Sequence, residues 1–548
     1  MNNDPFYSAL APDERDDYDE YAGKLIDSGE APAAAEAAAM DRARGKRADR
    51  EIGRREKIIN IEAARDIANF RIRAEYRDVF DQCRDRIKRG MAETHINSFA
   101  PTEMGQAEAA DLYFDGIMRH TPGAGWMVYD DSAGAFRADI GGSALRLCLQ
   151  DMGNERYNCR ESDEPKEYAR YAEKAVTLYN IRQVEGLLKD RLAALDSDFD
   201  QNIFYINCRG WTYDLRSGER APSLPEHAHS KSTGFTPLDG DCPEFKKFLD
   251  EVTLGDTQLA AWIMRWFGYN LTGDTRAPFF VNLHGSGRNG KGVLLCLMRK
   301  IMGSYAAEID SDVVVDTGKG GNKKNALANL PGVRAGFASE VPAGALNLSD
   351  LKKLTGGGEI VGERKYHDAF AFRPMVKLTF ASNPMLRLAD TGQAVKSRLR
   401  YIPFRLSVAG REDAGLEDRL LKEGPQILAW LIREAGEYLK NPGPKGFPLC
   451  DIIDSATKEY VAGEDIIGQF LEERVEPMPG GRLGAKMLYD CFRGWSERRG
   501  DKKVASPQAF GRKMTEKGMR REHNMYGWWY ADIHLRADNG DKNFTFRA

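Results

Sequence analysis

A surplus of positive charge, a patterned set of cysteines and a long apolar run are all missing from this chain of 548 residues, and each absence removes a class of function. Lys and Arg number 79 against 83 Asp and Glu, a formal charge of -4. No generally basic surface exists, so any grip on nucleic acid must come from local clusters. The eight cysteines, Cys83, Cys148, Cys159, Cys208, Cys242, Cys296, Cys450 and Cys491, include no C-x-x-C pair and no Cys/His cluster at zinc spacing. Reduced thiols and no structural metal are expected. The most apolar stretch, Leu259 to Leu271, is interrupted by Arg265 and is too short for a bilayer. Met1 to Pro12 lacks the basic-then-apolar pattern of a secretion signal. The expectation is a soluble, intracellular, cytoplasmic protein with no membrane partner.

What is present is ordinary globular material. A hydrophobic fraction of 42% and a charged fraction of 30% exclude a wholly disordered chain. At about 150 residues per domain the length suggests three or four domains. The Ala-, Arg- and Glu-rich stretch from Ala31 to Gly90 has Ile58, Ile61, Ala64, Ile67, Ala68 and Ile72 at helical spacing, so a helical region is expected over 1–100. Over 101–255, short strand-like runs such as Gly125 to Tyr129 mix with helical stretches such as Glu167 to Arg191, an α+β pattern. Its Trp126, Trp211 and Tyr213 are expected in the core. From 256 to 440 apolar strands alternate with glycine turns and helices, the α/β reading of a sheet with crossover helices. Past the Pro/Gly-rich linker Asn441 to Pro448, a compact domain over 450–548 is expected.

The chemistry concentrates in the third segment. A strand candidate, Pro278 to Leu283, leads into Gly285-Ser286-Gly287-Arg288-Asn289-Gly290-Lys291-Gly292-Val293, and Val293, Leu294, Leu297, Met298 and Ile301 then share a helical face. Strand, glycine loop and helix is the setting of a phosphate-binding loop. Successive backbone N–H groups and the positive helix end hold phosphate oxygens, and Lys291 reaches the β and γ phosphates, so ATP with Mg²⁺ is the expected cofactor. The last position of that motif is ordinarily Ser or Thr, whose hydroxyl binds the metal; here it is Gly292. A second strand, Val333 to Ser339, ends in Glu340, the candidate metal-site carboxylate that orients the attacking water. A third, Val376 to Ser382, ends in Asn383, placed to sense the γ-phosphate. Arg398, with Arg400 as second choice, is the candidate arginine for a neighbouring subunit's γ-phosphate.

These pieces, with Leu351 to Gly357, Arg364 to Tyr366, Phe372 to Leu378 and Ile402 to Phe404, resemble superfamily 3 helicases, specifically the phage and plasmid primase-helicase family that includes the poxvirus primase-helicase. The resemblance reaches upstream to the Trp211 hairpin and Gly268 to Gly273, and downstream into the last domain. It implies an AAA+ ATPase core in a hexameric ring, with ATP sites between subunits and single-stranded or forked DNA in the pore. The family's pore hairpin corresponds to Gly358 to Phe372, which makes Arg364, Lys365 and His367 candidate DNA contacts. The tail resembles a winged-helix domain, in which Lys513, Lys517, Arg520 and Arg521 lie near a recognition helix; the Gly527 to Tyr530 run reads as wing or core. Where relatives carry Asp, this chain has Gly358. The first hundred residues are too short and too helical for a primase domain, so no primer synthesis is expected, and a primase or other replication proteins are candidate partners.

The leading expectation is a DNA helicase or translocase in replication of a phage, plasmid or integrated mobile element. The alternative is an ATP-switch, an origin initiator or defence factor that binds nucleic acid without processive unwinding, an option that Gly292 keeps open.

Overall fold

A computed structural model describes the chain from 81 to 536, except for 115, 159–165, 317–325, 364–369, 389–391, 408–409, 411–412, 500–503 and 526, and before that Lys24, Asp27, Ala31 and Val79 alone. The chain divides into two compact units, Met1–Asp81 and Gln82–Ala548. The second carries everything below. Most of the helical region expected over 1–100 lies outside the described residues, although 82–93 are helical.

The first part of this unit is α+β. Helix α1 (Glu103–Phe114) precedes an antiparallel sheet of β1 (Met118–Thr121), β2 (Gly125–Asp130) and β3 (Ala135–Ala138), followed by α2 (Ser143–Asn158), α3 (Lys166–Ala175) and α4 (Leu178–Arg191). The single helical stretch expected from Glu167 to Arg191 is thus two helices. Thr177 makes the break: it sits in extended conformation and its hydroxyl accepts from the Asn180 amide at 3.3 Å, satisfying a donor that the new helix would otherwise orphan. A second antiparallel sheet contains β4 (Tyr205–Asn207), β5 (Trp211–Asp214) and β6 (Arg220–Pro222). Trp126 and Tyr213 are buried, but Trp211 is 37% exposed, against expectation. It stands opposite Pro222 at the end of the ladder, and the Arg220 guanidinium covers its ring at 4.8 Å.

Helices α5 (Pro243–Thr253) and α6 (Thr257–Leu271) introduce the central layer. The Glu423 carboxylate caps α5 by accepting from the amides of Glu244 and Phe245 at 3.1 and 2.8 Å. There follow β7 (Phe280–His284), α7 (Lys291–Met302), β8 (Ala306–Glu308), β9 (Ala335–Val341), α8 (Leu348–Thr355), a two-stranded antiparallel ladder of β10 (Ile360–Gly362) and β11 (Phe370–Phe372), then β12 (Lys377–Ser382), α9 (Gln393–Lys396) and β13 (Leu399–Pro403). Five strands run parallel in the order β13-β7-β12-β9-β8. Ranked along the chain, that order is 5-1-4-3-2.

The sheet is covered on both faces, which is why β12 is buried at every position. One covering layer holds Trp262 and Trp266, stacked at 5.8 Å, with Phe267, Leu294 and Met298; α10 (Leu416–Lys422) and α11 (Gly424–Lys440) complete it. The Trp266 indole donates to the Thr379 hydroxyl at 2.8 Å and fixes this layer on β12. The other layer holds Leu351, Leu354 and Leu386 together with Tyr460 and Val461 of α12 (Asp451–Glu464). Tyr460 stacks on Tyr401 at 4.7 Å, and the Thr457 hydroxyl accepts from the Tyr401 amide at 3.0 Å. The helix that opens the expected 450–548 domain therefore packs on the central sheet.

Two buried cations brace the amino end of that sheet. The Arg334 guanidinium is fully buried, donates to the carbonyls of Leu271 (2.6 Å) and Tyr205 (2.7 Å) and lies 4.7 Å over the Tyr305 ring. Lys377 donates to the carbonyls of Thr272 and Met375. Burial holds its ammonium well below the usual lysine range.

The remaining residues have a core of their own. Helix α13 (Ile466–Arg474), β14 (Val475–Gly484), α14 (Ala485–Arg498), α15 (Pro507–Glu516), β15 (Arg521–Asn524) and β16 (Gly527–Leu535) enclose Phe470, Leu488, Phe492, Phe510 and Tyr530, with sheet order β14-β16-β15. Tyr530 is core, whereas Trp528 is 49% exposed.

Candidate nucleotide site

The glycine loop spans the gap between β7 and the first turn of α7, at the start of a helix whose dipole favours anions. Gly290 has φ +84°, and a Cβ there would lie 2.6 Å from Val252 Cγ1. Gly285 is equally confined, since its Cβ would fall 2.4 Å from the Phe404 carbonyl oxygen. Gly292 differs: a Cβ placed on it meets nothing within 4 Å. Lys291 is only 4% exposed, and its ammonium donates to the Gly285 carbonyl at 2.9 Å, to Asn289 Oδ1 at 2.9 Å and to Asn383 Oδ1 at 3.2 Å. Burial lowers its pKa.

Because the strands are parallel, their carboxyl ends share one edge, the usual place for a ligand in such a sheet. A cavity of about 400 Å³ opens there. It is lined by Gly287 to Val293, by Ser339 and Glu340 at the end of β9, and by Asn383 just past β12. Phe248 and Val252 of α5, with Leu406 and Leu416, add an apolar part of the wall, beside which Glu251 and Asp413 bring two carboxylates. Sequence reading missed that wall, and no local signal marks it, because the four residues are ordinary helix and loop hydrophobes until the fold brings them to the loop. A larger cavity, about 880 Å³, lies elsewhere, between Phe136, Arg137, Lys231 and Gly332, and shares no lining residue with the loop.

Arg398 is not part of this cluster. It immediately precedes β13, whose Leu399 pairs with Phe280, so it sits at the amino end of the sheet. Five strand residues at about 3.3 Å each put it roughly 16 Å from the level of the loop. Its Nη1 donates to the Ala394 carbonyl at 3.0 Å, and its Nε is buried without a hydrogen-bond partner. Arg400 is committed within its own chain: its guanidinium lies 3.7 Å over the Phe279 ring, and burial brings it down to about 10. It is thereby removed as the second choice.

Arg364, Lys365 and His367 lie outside the described residues. The strands that flank them pair Ile360 with Phe372 and Gly362 with Phe370, so the Gly358 to Phe372 segment is a hairpin at its base. In the last domain Lys513 pairs with Glu516 at 2.9 Å, Lys517 with Asp465, and Arg520 with Glu522 at 2.6 Å, while the Arg521 guanidinium lies 4.2 Å over Trp528. Each of these cations has a local partner.

No helix among the described residues is long and apolar enough to cross a membrane. Nor do three or more His, Cys, Asp or Glu side chains cluster there as a metal cage. Magnesium at a nucleotide does not need one, since it keeps waters and phosphate oxygens and takes one or two protein oxygens.

Residues 109–254 match the family described as D5 N terminal like. Residues 283–398, from the end of β7 to Arg398, match a family of unknown function, DUF5906. The chain is similar to Putative helicase 022R of Frog virus 3 (isolate Goorha), 26% identical over 232 residues, which are 39% of this chain and 24% of that protein. It is also similar to Putative helicase L207/L206 of Acanthamoeba polyphaga mimivirus, 24% identical over 323 residues, 54% of this chain and 33% of that protein. The chain thus spans a third or less of the length of these viral relatives. Among solved structures, two apo forms of the NrS-1 C terminal region align at TM-scores of 0.35 and 0.36 with 13% and 12% identity, covering 54% and 55% of this chain and 76% and 77% of theirs. A superposition that weak assigns nothing to particular residues.

Proposed function

We propose that this chain is an ATP-driven nucleic-acid motor, a superfamily 3 helicase of the AAA+ kind acting in replication of a phage, virus or related mobile element. One observation carries the proposal: Lys291, Glu340 and Asn383 meet at one carboxyl edge of a parallel sheet ordered 5-1-4-3-2, while Arg398 stands at the opposite edge. The similarity to two viral proteins named helicases supports the same reading.

In this mechanism the loop amides and Lys291 hold the β and γ phosphates. The apolar wall of Phe248, Val252, Leu406 and Leu416 takes the base. Glu340, exposed at its strand end, accepts the proton of the attacking water, and Asn383 hydrogen-bonds that water or the γ-phosphate. The oxygen donors at the end of β9 suit Mg²⁺, which would be held there with the phosphates and would neutralise charge across the β and γ oxygens. Arg398 cannot reach its own loop, so on this reading it serves the neighbour's site, and such a head-to-tail contact closes into a ring when its rotation closes. In such a ring Arg364, Lys365 and His367 would be the phosphate contacts to DNA.

The purified chain should hydrolyse ATP, faster with DNA, and displace a strand from a fork. Lys291→Ala should abolish both, and Glu340→Gln should slow hydrolysis by roughly 10² to 10⁴ while ATP still binds. Unchanged hydrolysis in both variants sinks the assignment. Gly292 favours a second reading, an ATP-switch without processive unwinding; binding and hydrolysis with no strand displacement would select it.

A further inference from the structure

The loop lacks its metal-binding hydroxyl at Gly292, yet the cavity does not lack a hydroxyl. Among the described residues that line it, Ser339 alone carries one. Its position is unusual for a strand. Consecutive strand residues point to opposite faces, so Ser339 and Glu340 would ordinarily diverge.

The pairing of β9 with β12 explains why they do not. It is regular from Ala335 opposite Lys377 to Ala338 opposite Phe380, then shifts so that Val341 stands opposite Ser382. Two residues, Ser339 and Glu340, therefore face one, Ala381. Such a bulge re-aims side chains. Both are exposed, between buried Ala338 and Val341, and both line the nucleotide cavity. The Ser339 hydroxyl bonds Glu308 Oε1 at 3.5 Å, the outer limit of a hydrogen bond and easily exchanged. Glu308 is itself held by Arg299 at 2.5 Å.

We propose that Ser339 supplies, from the end of β9, the hydroxyl ligand for nucleotide-bound Mg²⁺ that the loop lacks at Gly292. The proposal rests on the ATPase reading above. It moves one metal ligand from the first turn of α7 to the neighbouring strand and makes the bulge a part of the metal site. It also makes the two positions interchangeable, because open space at Gly292 would accept a serine.

The test uses the full chain and a fluorescent ATP analogue, titrated with excess Mg²⁺ or with EDTA. Wild type should bind more tightly with Mg²⁺. Ser339→Ala should bind as wild type does in EDTA and lose about tenfold of the Mg²⁺-dependent gain, as for other ligand-sphere changes. The double variant S339A/G292S should recover that gain. Three results overturn the proposal: a full Mg²⁺ gain in Ser339→Ala, an equal loss of affinity in EDTA, or no recovery in the double variant. A wild type that binds no nucleotide under either condition overturns the ATPase reading itself instead.

Discussion

At the scale of single residues, the glycines of the loop are not equivalent. Gly290 is required twice over, by its positive φ and by Val252. Gly290→Ala should therefore cost about 1–3 kcal/mol in strain and weaken nucleotide binding, read by thermal melting and by titration. Gly292→Ala should do neither, because its Cβ meets nothing. The sequence displays the two as members of one motif. Only the fold separates them, through the positive φ at Gly290 and the approach of Val252 from another helix. Trp211 teaches the reverse: an aromatic is more often core, but one at the end of a ladder can be covered by an arginine instead of by apolar neighbours.

At the scale of elements, the first part of the unit is fastened to the central sheet by Arg334, which reaches carbonyls near β4 and at the end of α6 from the start of β9. Arg334→Met would leave those carbonyls unpaired in the interior and should destabilise by about 3 kcal/mol, seen as a lower midpoint in urea. Beside it, His229 is 2% exposed, its Nε2 bonds the Thr212 hydroxyl at 2.9 Å, and its Nδ1 has no partner. Burial, then the charges of Arg334 and His227, pull it down to about 3. The unfolded chain binds this proton below about 6.5 and the folded chain does not, so stability falls as pH drops through that value toward 3. From pH 7 to pH 5 this one group should contribute a loss of about 2 kcal/mol. His229→Asn should flatten that part of the profile; an unchanged slope would refute the assignment. The break at Thr177 was legible only as a residue type, since Val176 and Thr177 interrupt no apolar period.

At the scale of the whole molecule, the decisive fact is the separation of Arg398 from the loop of its own chain. On the proposed reading, Arg398→Ala should bind ATP normally and lose on the order of a thousandfold in hydrolysis. Mixing it with Lys291→Ala should restore part of the activity, because some interfaces then pair an intact loop with an intact arginine. If mixed variants stay inactive while each still assembles with wild type, the arginine does not act between subunits.

Several elements were legible in the sequence by itself because their signals are contiguous. The glycine loop between a strand and a helix and the strand that ends before Asn383 each write their geometry into neighbouring residues, whereas the strand expected to stop at Ser339 runs on to Val341 and the hairpin around Gly358 to Phe372 was implied by the family resemblance alone. The pairing of distant strands does not. Only the tertiary structure decided that β9 bulges at Ser339 and Glu340, that Phe248 and Leu416 wall the nucleotide cavity, that α12 covers the central sheet, and that Arg398 lies about 16 Å from its own loop. Register and burial are set by partners far away along the chain. Local periodicity can state what an element is, but which residue stands opposite it is fixed when the layers pack.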